Sequence, residues 1–392
     1  MTQAWEIVFW VAAGLIVWTQ LAYAATLWLV ARLSRSARAP RPAWARGVDA
    51  QALPIVSLIV AAHNEESVIA AKVANALALA YPRSRLEVIV ACDGCTDATA
   101  SHAREAGADL VLELPREGKV RAQDAAVAHA RGSIVAFSDA NALWDAQALR
   151  ALLDAFADPR VGYACGQVRY IAPDADPTAT SQEDLYWRYE LSLRALESSL
   201  RSITGGNGAI YATRRESYII VDPVMGHDLS FPFNMVKRGW RAVYVPGALA
   251  REKMVPSIEG EFARKRRMMS HTWPIVIRGG MLSPRGYGLA YSLMIFSHRV
   301  LRYATPALHV IALTANVIAV AQGAGPVLRI ALWLQGAVIV AAVLARFGAF
   351  RRVRPLLVAR HYILSTSAVA AGLWDWLRHG TSAGWQAAEG TR

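Results

Sequence analysis

Cysteine is scarce in this chain, with three in 392 residues. Cys92, Cys95 and Cys165 are too few for a disulfide framework. No second pair stands ready to complete a zinc site around the C-x-x-C spacing of Cys92 and Cys95. Asp93 and Gly94 between them belong to another motif, so a thioredoxin-like reading falls away and a reducing compartment is expected. Acidic residues are also few, 30 against 42 Lys and Arg, which leaves a net charge of +12. No nucleic-acid motif accompanies that charge, so nucleic acid is not the expected partner. The first strand-like segment lacks a G-x-G-x-x-G, and no P-loop occurs anywhere. Dinucleotide and P-loop kinase readings therefore have no phosphate cradle.

What is present is apolar sequence, thick at both ends. No charged residue interrupts Ile7 to Ala31, and at about 1.5 Å per residue this run spans a hydrocarbon core of about 30 Å. It is too long for a signal-peptide core and has no basic segment before it, so a retained anchor is expected. Arg32, Arg35, Arg38, Arg41 and Arg46 follow, which places the rest of the chain on the cytoplasmic side of the inner membrane. Towards the other end, Tyr303 to Leu328 and Ile330 to Phe350 read as spans, with a turn at Gln322 to Pro326. Arg351, Arg352 and Arg354 mark a return to the cytoplasm. Leu356 to Leu377 reads either as a further span or as a helix in the interface, and Tyr287 to Arg299 as an interfacial helix. Charge packed against spans implies anionic membrane lipids as partners.

The middle alternates strand-like and helix-like segments. Ile55 to Ala61, Leu86 to Ala91, Leu110 to Leu114 and Ile134 to Phe137 read as strands. Glu65 to Leu79, Thr96 to Ala106 and Lys119 to Ala130 read as helices between them. Such alternation predicts an α/β, Rossmann-like, mostly parallel sheet whose ligand lies beyond the carboxyl ends of its strands. Three of those ends are polar: Ala62-His63-Asn64-Glu65-Glu66, Asp93-Gly94-Cys95-Thr96-Asp97 and Asp139-Ala140-Asn141. Taken alone, Asp139-Ala140-Asn141 is also a plain strand-end turn with capping side chains. The expected divisions are an anchor over 1–33, a basic linker over 34–53, a catalytic domain over 54–280, and interfacial and membrane helices with a tail over 281–392.

From Pro54 to about Trp273 these residues resemble family 2 glycosyltransferases of the GT-A fold. In that family an alanine-x-asparagine-glutamate loop, here Ala62, His63, Asn64 and Glu65, wraps the nucleoside. The D-G-S-T-D turn appears as Asp93 to Asp97 with Cys95 for serine, and its first Asp contacts the base. Arg116, Gly118 and Lys119 match an element near base and phosphates. The D-x-D element is Asp139-Ala140-Asn141. The resemblance implies that Asp139 faces ribose or metal and that Asn141 helps hold the divalent ion, Mg²⁺ or Mn²⁺, which suits oxygen ligands. Asn141 departs from the usual carboxylate and leaves one negative charge fewer on the ion.

The resemblance continues through Gly205-Gly206-Asn207-Gly208, where Gly206 and Asn207 fall on the acceptor side. In Gly226-His227-Asp228-Leu229, Asp228 stands at the general base and His227 beside the acceptor. Glu261 to Arg267 resembles the Arg-Lys-x-x-Arg version of a later motif, with Arg264 and Arg267 on one helix face facing a diphosphate or a lipid phosphate. Plain juxtamembrane basicity is the other account of those arginines. Ser297-His298-Arg299-Val300-Leu301-Arg302-Tyr303 and the tail from Trp385 to Arg392 also resemble such members, with no role assigned beyond the interface.

The implied function is inverting hexose transfer from a nucleotide-diphosphate sugar, UDP-linked in expectation. The acceptor is a membrane-associated lipid-linked or polysaccharide molecule in cell-surface polysaccharide or glycolipid synthesis. Two alternatives stand beside it. One is a processive synthase that translocates its polymer, against which the absent Gln-x-x-Arg-Trp motif and the few spans argue. The other is a non-catalytic membrane scaffold that binds nucleotide sugar. Nothing in the sequence speaks to the oligomeric state.

Overall fold

A computed structural model describes residues 2–34, 53–171, 177–253, 258–347, 350, 353–381 and 383–384. The basic cluster from Arg35 to Arg46, Arg351 with Arg352, and the tail from Trp385 lie outside the described residues. The chain opens with α1 (Thr2–Val17), a π-helical turn (Trp18–Ala22) and α2 (Tyr23–Leu33). Next come β1 (Val56–Ala62), α3 (Ile69–Leu77), β2 (Leu86–Asp93), α4 (Thr99–Glu105), β3 (Leu110–Leu114), α5 (Lys119–His129) and β4 (Ile134–Asp139). These match the predicted alternation segment for segment. β1 and β2 are buried along their whole length, as near-continuous apolar runs must be when helices cover both faces of a sheet.

The second half of the domain breaks the simple alternation. It comprises β5 (Leu143–Trp144), α6 (Ala148–Ala155), β6 (Val161–Ile171), α7 (Pro177–Leu200), β7 (Ile210–Arg214), α8 (His227–Lys237) and β8 (Arg241–Lys253). One eight-stranded sheet runs in the order β3-β2-β1-β4-β7-β6-β8-β5. Pairs among β1 to β4 are parallel, whereas β7 runs antiparallel to both β4 and β6. The sheet is therefore mixed in the half that the sequence segments did not delineate. β7 reverses because the chain enters it from the polar end, through Gly205 to Gly208. Its alternate residues pack into two cores: Ile210 and Ala212 with Leu58 and Val88 on one face, Tyr211 with Ile59, Phe137 and Tyr163 on the other.

The last helices are α9 (Ile258–Ile277), α10 (Gly288–Met294), a second π-helical turn (Ile295–Val300), α11 (Leu301–Ala321), α12 (Pro326–Leu344) and α13 (Arg354–His379). Four segments are long and apolar enough to cross a membrane: Gln3–Leu33, Gly288–Ala321, Pro326–Leu344 and Arg354–His379. They mark the chain as membrane-associated. The stretch Tyr287 to Arg299, expected as a separate interfacial helix, instead forms the first part of a helix that continues into α11. The π turn absorbs the change in helical phase without ending the helix. α13, ambiguous in the sequence, lies along α9. The two approach so closely at Gly372 that a Cβ there would collide with that of Met269, and Arg266 forms two 2.6 Å bonds to Asp375. α1 packs on α11 through Phe9, Ala12, Ala312, Ala315 and Ala319; small residues allow the close helix approach common in bilayers.

Candidate active site

The parallel register brings three polar strand ends level. Ala61 pairs with Asp139, Ala62 with Cys92, and Asp93 with Leu114. The loops that follow are laced together. Asn64, in the left-handed region at φ 53°, accepts from the Thr96 amide at 2.9 Å. The Glu66 carboxylate accepts from the Ala98 amide at 3.0 Å, and Asp97 accepts from the Glu66 amide at 3.1 Å. Short polar side chains tolerate a positive φ when local hydrogen bonds repay it, which explains an asparagine here. Glu65 is 1% exposed and takes its amide hydrogen bond to Thr99 Oγ1 at 2.7 Å.

Asp93 is also buried. Its carboxylate accepts from the Glu117 amide at 2.7 Å and the Gly118 amide at 2.9 Å, so it fixes the loop carrying Arg116 and Lys119. His63 Nδ1 donates to the Asp93 carbonyl at 2.7 Å, and its other nitrogen meets Arg116 Nη1. Gly94 (φ 59°) has no room for a side chain, since a Cβ would stand 2.6 Å from Arg116 Cβ. Ala383 comes back from beyond α13 to this loop, its carbonyl filling the place where a Cβ on Gly118 would lie. All three cysteines are free thiols, and Cys95 Sγ lies 3.5 Å from the Ala62 carbonyl.

At the third strand end, Lys119 Nζ forms an ion pair with Asp139. It also lies 3.5 Å from the Gly208 carbonyl. Burial pulls the Lys119 ammonium down, but Asp139, Asp228 and Glu252 outweigh it and hold the group above its usual range. One cation thus senses carboxylates from β4, α8 and β8. Beneath them Lys72 is fully buried, donates to the Ala142 carbonyl at 2.6 Å and sits over the Trp144 ring. Burial lowers its pKa to about 7 against the pull of Asp139 and Glu252.

Glu252 was not singled out in the sequence. Its Oε1 is sealed from solvent with no hydrogen-bond partner. Burial, reinforced by Asp139, raises its pKa to about 7. The only sequence signal was a charged triplet, Arg251-Glu252-Lys253, at the end of a strand whose Ala248 and Ala250 are buried. Among the described residues no group of three or more His, Cys, Asp and Glu has metal-holding geometry. The orphaned Glu252 oxygen, charge-coupled to Asp139, is nevertheless chemistry that suits a hard divalent cation, since such an ion satisfies an unpartnered carboxylate oxygen.

On the acceptor side, Asp228 lies in the first turn of α8, and its carbonyl accepts from the Gly206 amide at 2.6 Å. Gly206 is pressed on Tyr163, whose hydroxyl occupies the place a Cβ would need. Asn207 is occupied with the backbone, accepting from Ile210 at 2.9 Å and Ala209 at 3.2 Å and donating to Gly166. His227, expected beside the acceptor, is buried in the core. It is 3% exposed, stacks on Phe231 at 4.0 Å and meets the Tyr211 hydroxyl at 2.7 Å. Burial, with the nearby Lys119 charge, drops its pKa to about 3, so it is a neutral packing and hydrogen-bonding group. On α9, Arg264 lies over Tyr170, and burial with the Arg264 charge lowers the Arg267 pKa.

The level strand ends, the Asp139–Lys119 pair and the antiparallel β7 define a GT-A glycosyltransferase fold joined to membrane helices. A mannosyltransferase from Pyrobaculum calidifontis, solved with GDP-mannose and Mn²⁺, superposes with a TM-score of 0.68 at 24% identity, over 95% of this chain and 99% of that one. The family model for glycosyltransferase-like family 2 matches residues 54–270, more than half the chain, and the protein belongs to that family. Among curated relatives, an N-acetylglucosaminyltransferase of Neorhizobium galegae is 23% identical over 56% of this chain and 55% of its own length. A beta-monoglucosyldiacylglycerol synthase of Nostoc sp. is 32% identical over 40% of this chain and 34% of its own. The matched region spans about half the length of the N-acetylglucosaminyltransferase, or less of the Nostoc relative.

Proposed function

We propose that the protein is an inverting glycosyltransferase that moves a hexose from a nucleoside-diphosphate sugar to a membrane-associated acceptor, with its catalytic domain on the cytoplasmic side. The observation that carries this reading is Lys119, a half-buried cation charge-coupled to Asp139, Asp228 and Glu252. It joins the donor motif to the candidate base across one end of the sheet. Asp228 takes the proton of the acceptor hydroxyl while that oxygen forms its bond to the anomeric carbon. The bond from that carbon to the diphosphate breaks, and the electron pair leaves with the nucleotide. Asn64, Asp93 and Arg116 shape the nucleoside end, and Arg264 and Arg267 face the diphosphate. Asp139, Asn141 and Glu252 would hold Mg²⁺ or Mn²⁺, and the ion would supply Lewis-acid neutralisation of the charge on the leaving diphosphate.

A UDP-linked hexose is the first expectation for the donor, on the resemblance of the motifs. A membrane acceptor is supported by the contact of the Gly205–Gly208 loop with the helix that runs into α11. One relative is moreover named for a glucosylated diacylglycerol. The test is nucleotide release by the full chain in lipid nanodiscs, over UDP-, GDP- and dTDP-sugars with Mg²⁺ or Mn²⁺. Metal-dependent release from one donor class, increased by added membrane lipid extract, is expected. No release from any donor contradicts the catalytic reading, and a ladder of long polymer replaces single transfer with processive synthesis.

A further inference from the structure

The Ser297-His298-Arg299 segment, together with Arg302, had no chemistry to account for it in the sequence. In the fold it meets a buried row of charge on α7. Glu190, Arg194 and Glu197, at 4%, 5% and 0% exposure, share one helix face. His298, fully buried, bridges the two carboxylates, with Nδ1 2.7 Å from Glu197 and Nε2 3.3 Å from Glu190. Arg299 Nη2 lies 3.6 Å from Glu190, and Arg302 closes on the same carboxylate. Burial alone would push Glu190 up, yet His298 and Arg302 hold it well below the usual carboxylate range.

A membrane anchor needs no such cluster. Buried ion pairs lose about as much to desolvation as they gain, and apolar packing holds helices equally well. What the charges do here is reach the acceptor loop. Glu197 accepts from the Thr204 amide at 3.0 Å and from its hydroxyl at 3.0 Å. Arg299 Nε donates to that same hydroxyl at 3.0 Å. Gly205 lies flat on the guanidinium, where a Cβ would stand 2.5 Å from Nη2. Gly206 then donates to the Asp228 carbonyl.

The N-terminal helix joins the cluster from the other side. Tyr23 donates to Glu197 at 3.0 Å. The two π turns face each other: Trp18 Nε1 donates to Ser297 Oγ at 2.9 Å, and Thr19 Oγ1 to the Ser297 carbonyl at 2.8 Å. A π turn releases a main-chain carbonyl from the helical ladder, and a side chain of the opposite turn takes this one.

We propose that this network is a positioning device for transfer: Tyr23 and the π turn at His298–Arg299 hold Glu197, Glu197 and Arg299 hold Thr204–Gly206, and Gly206 holds Asp228. The N-terminal membrane helix and the helix that runs into α11 thereby set the geometry of the acceptor side, while the donor loops stand apart from them. The inference rests on the reading of Asp228 as the base.

The test uses the full chain in nanodiscs, with Glu197→Gln and, where that variant folds poorly, the milder Tyr23→Phe. Hydrogen exchange is followed at Thr204 and Gly206 and at the β1 and β2 amides, alongside thermal stabilisation by UDP or GDP with Mn²⁺. Exchange at Thr204 and Gly206 is expected to rise about tenfold with β1 and β2 unchanged. Nucleotide stabilisation stays as in the wild type. Transfer turnover falls about tenfold or more at an unchanged donor KM, since small displacements of reacting groups are costly. Unchanged protection of the loop, protection lost equally across β1, or a raised donor KM at unchanged turnover would each overturn the proposal. Should the wild type release no nucleotide, the catalytic reading fails, while the exchange data still decide the coupling.

Discussion

The two halves of the site are built in different ways. On the donor side, each loop is contiguous in sequence, follows a strand of β1 to β4 and is closed by partners on the neighbouring strand-end loop: Asn64 with Thr96, Glu66 with Ala98, Asp93 with Gly118. On the acceptor side, the loop at Gly205–Gly208 has little of its own to hold it. It takes its shape from α7, from Tyr163 beneath it and from the π turn around His298. The donor loops take their shape from one another, with Ala383 from beyond α13 packed against Gly118. An acceptor side of the second kind is bound to the membrane helices it folded with.

That contrast breaks most sharply at Asp139. Asp139→Asn removes the ion pair of Lys119 and a candidate metal oxygen together. Turnover is expected to fall about a thousandfold, in the range lost when a charge-stabilising group is removed. Mn²⁺-dependent nucleotide binding should fall with it, as read by calorimetry. Binding that survives unchanged would place the metal elsewhere.

Gly206→Ala strikes the acceptor half alone. The new methyl meets the Tyr163 hydroxyl, and overpacking of this kind costs about 2 kcal/mol. Thermal unfolding in detergent should show the loss, with nucleotide stabilisation retained. Tyr163→Phe should recover most of it, because that hydroxyl is the atom the methyl meets and its remaining neighbour is the weakly bonding Cys165 thiol. No recovery would mean that the loop is held by other contacts.

His227 gives the smallest effect and a pH signature. Its folded pKa of about 3 lies below the ordinary histidine value of 6.5. Its contribution is therefore complete above about pH 6.5 and is lost as pH falls towards 3, amounting to about 2 kcal/mol at pH 5. Melting curves from pH 7.5 to 5 should fall more steeply for the wild type than for His227→Asn. Parallel curves would show that the imidazole is not sealed from protons.

The donor half was legible because strand ends and turn chemistry are local. Ile55 to Ala61 reads as a buried strand from its residues alone, one residue from the observed Val56–Ala62, and Ala62-His63-Asn64-Glu65-Glu66 reads as the polar end of it. The acceptor half was only half legible. Gly206 and Asp228 stood out as motif residues, but the partners of His298 lie 101 and 108 residues away, and no periodicity links such positions. His227 was expected beside the acceptor because polarity is local while burial is tertiary: Phe137, Tyr211, Tyr218 and Phe231 enclose it. Glu252 was hidden because one acid between two basic residues at a strand end looks like solvated charge. The antiparallel course of β7 was hidden as well, since its side-chain pattern is the same in either direction.

The most direct test of the account separates donor from acceptor at a single atom pair, by measuring nucleotide affinity and sugar transfer together in Asp228→Asn. The account predicts nucleotide affinity within about twofold of the wild type and transfer reduced about a thousandfold, the scale of a lost general base. Transfer at the wild-type rate, or loss of nucleotide binding in step with transfer, would contradict it.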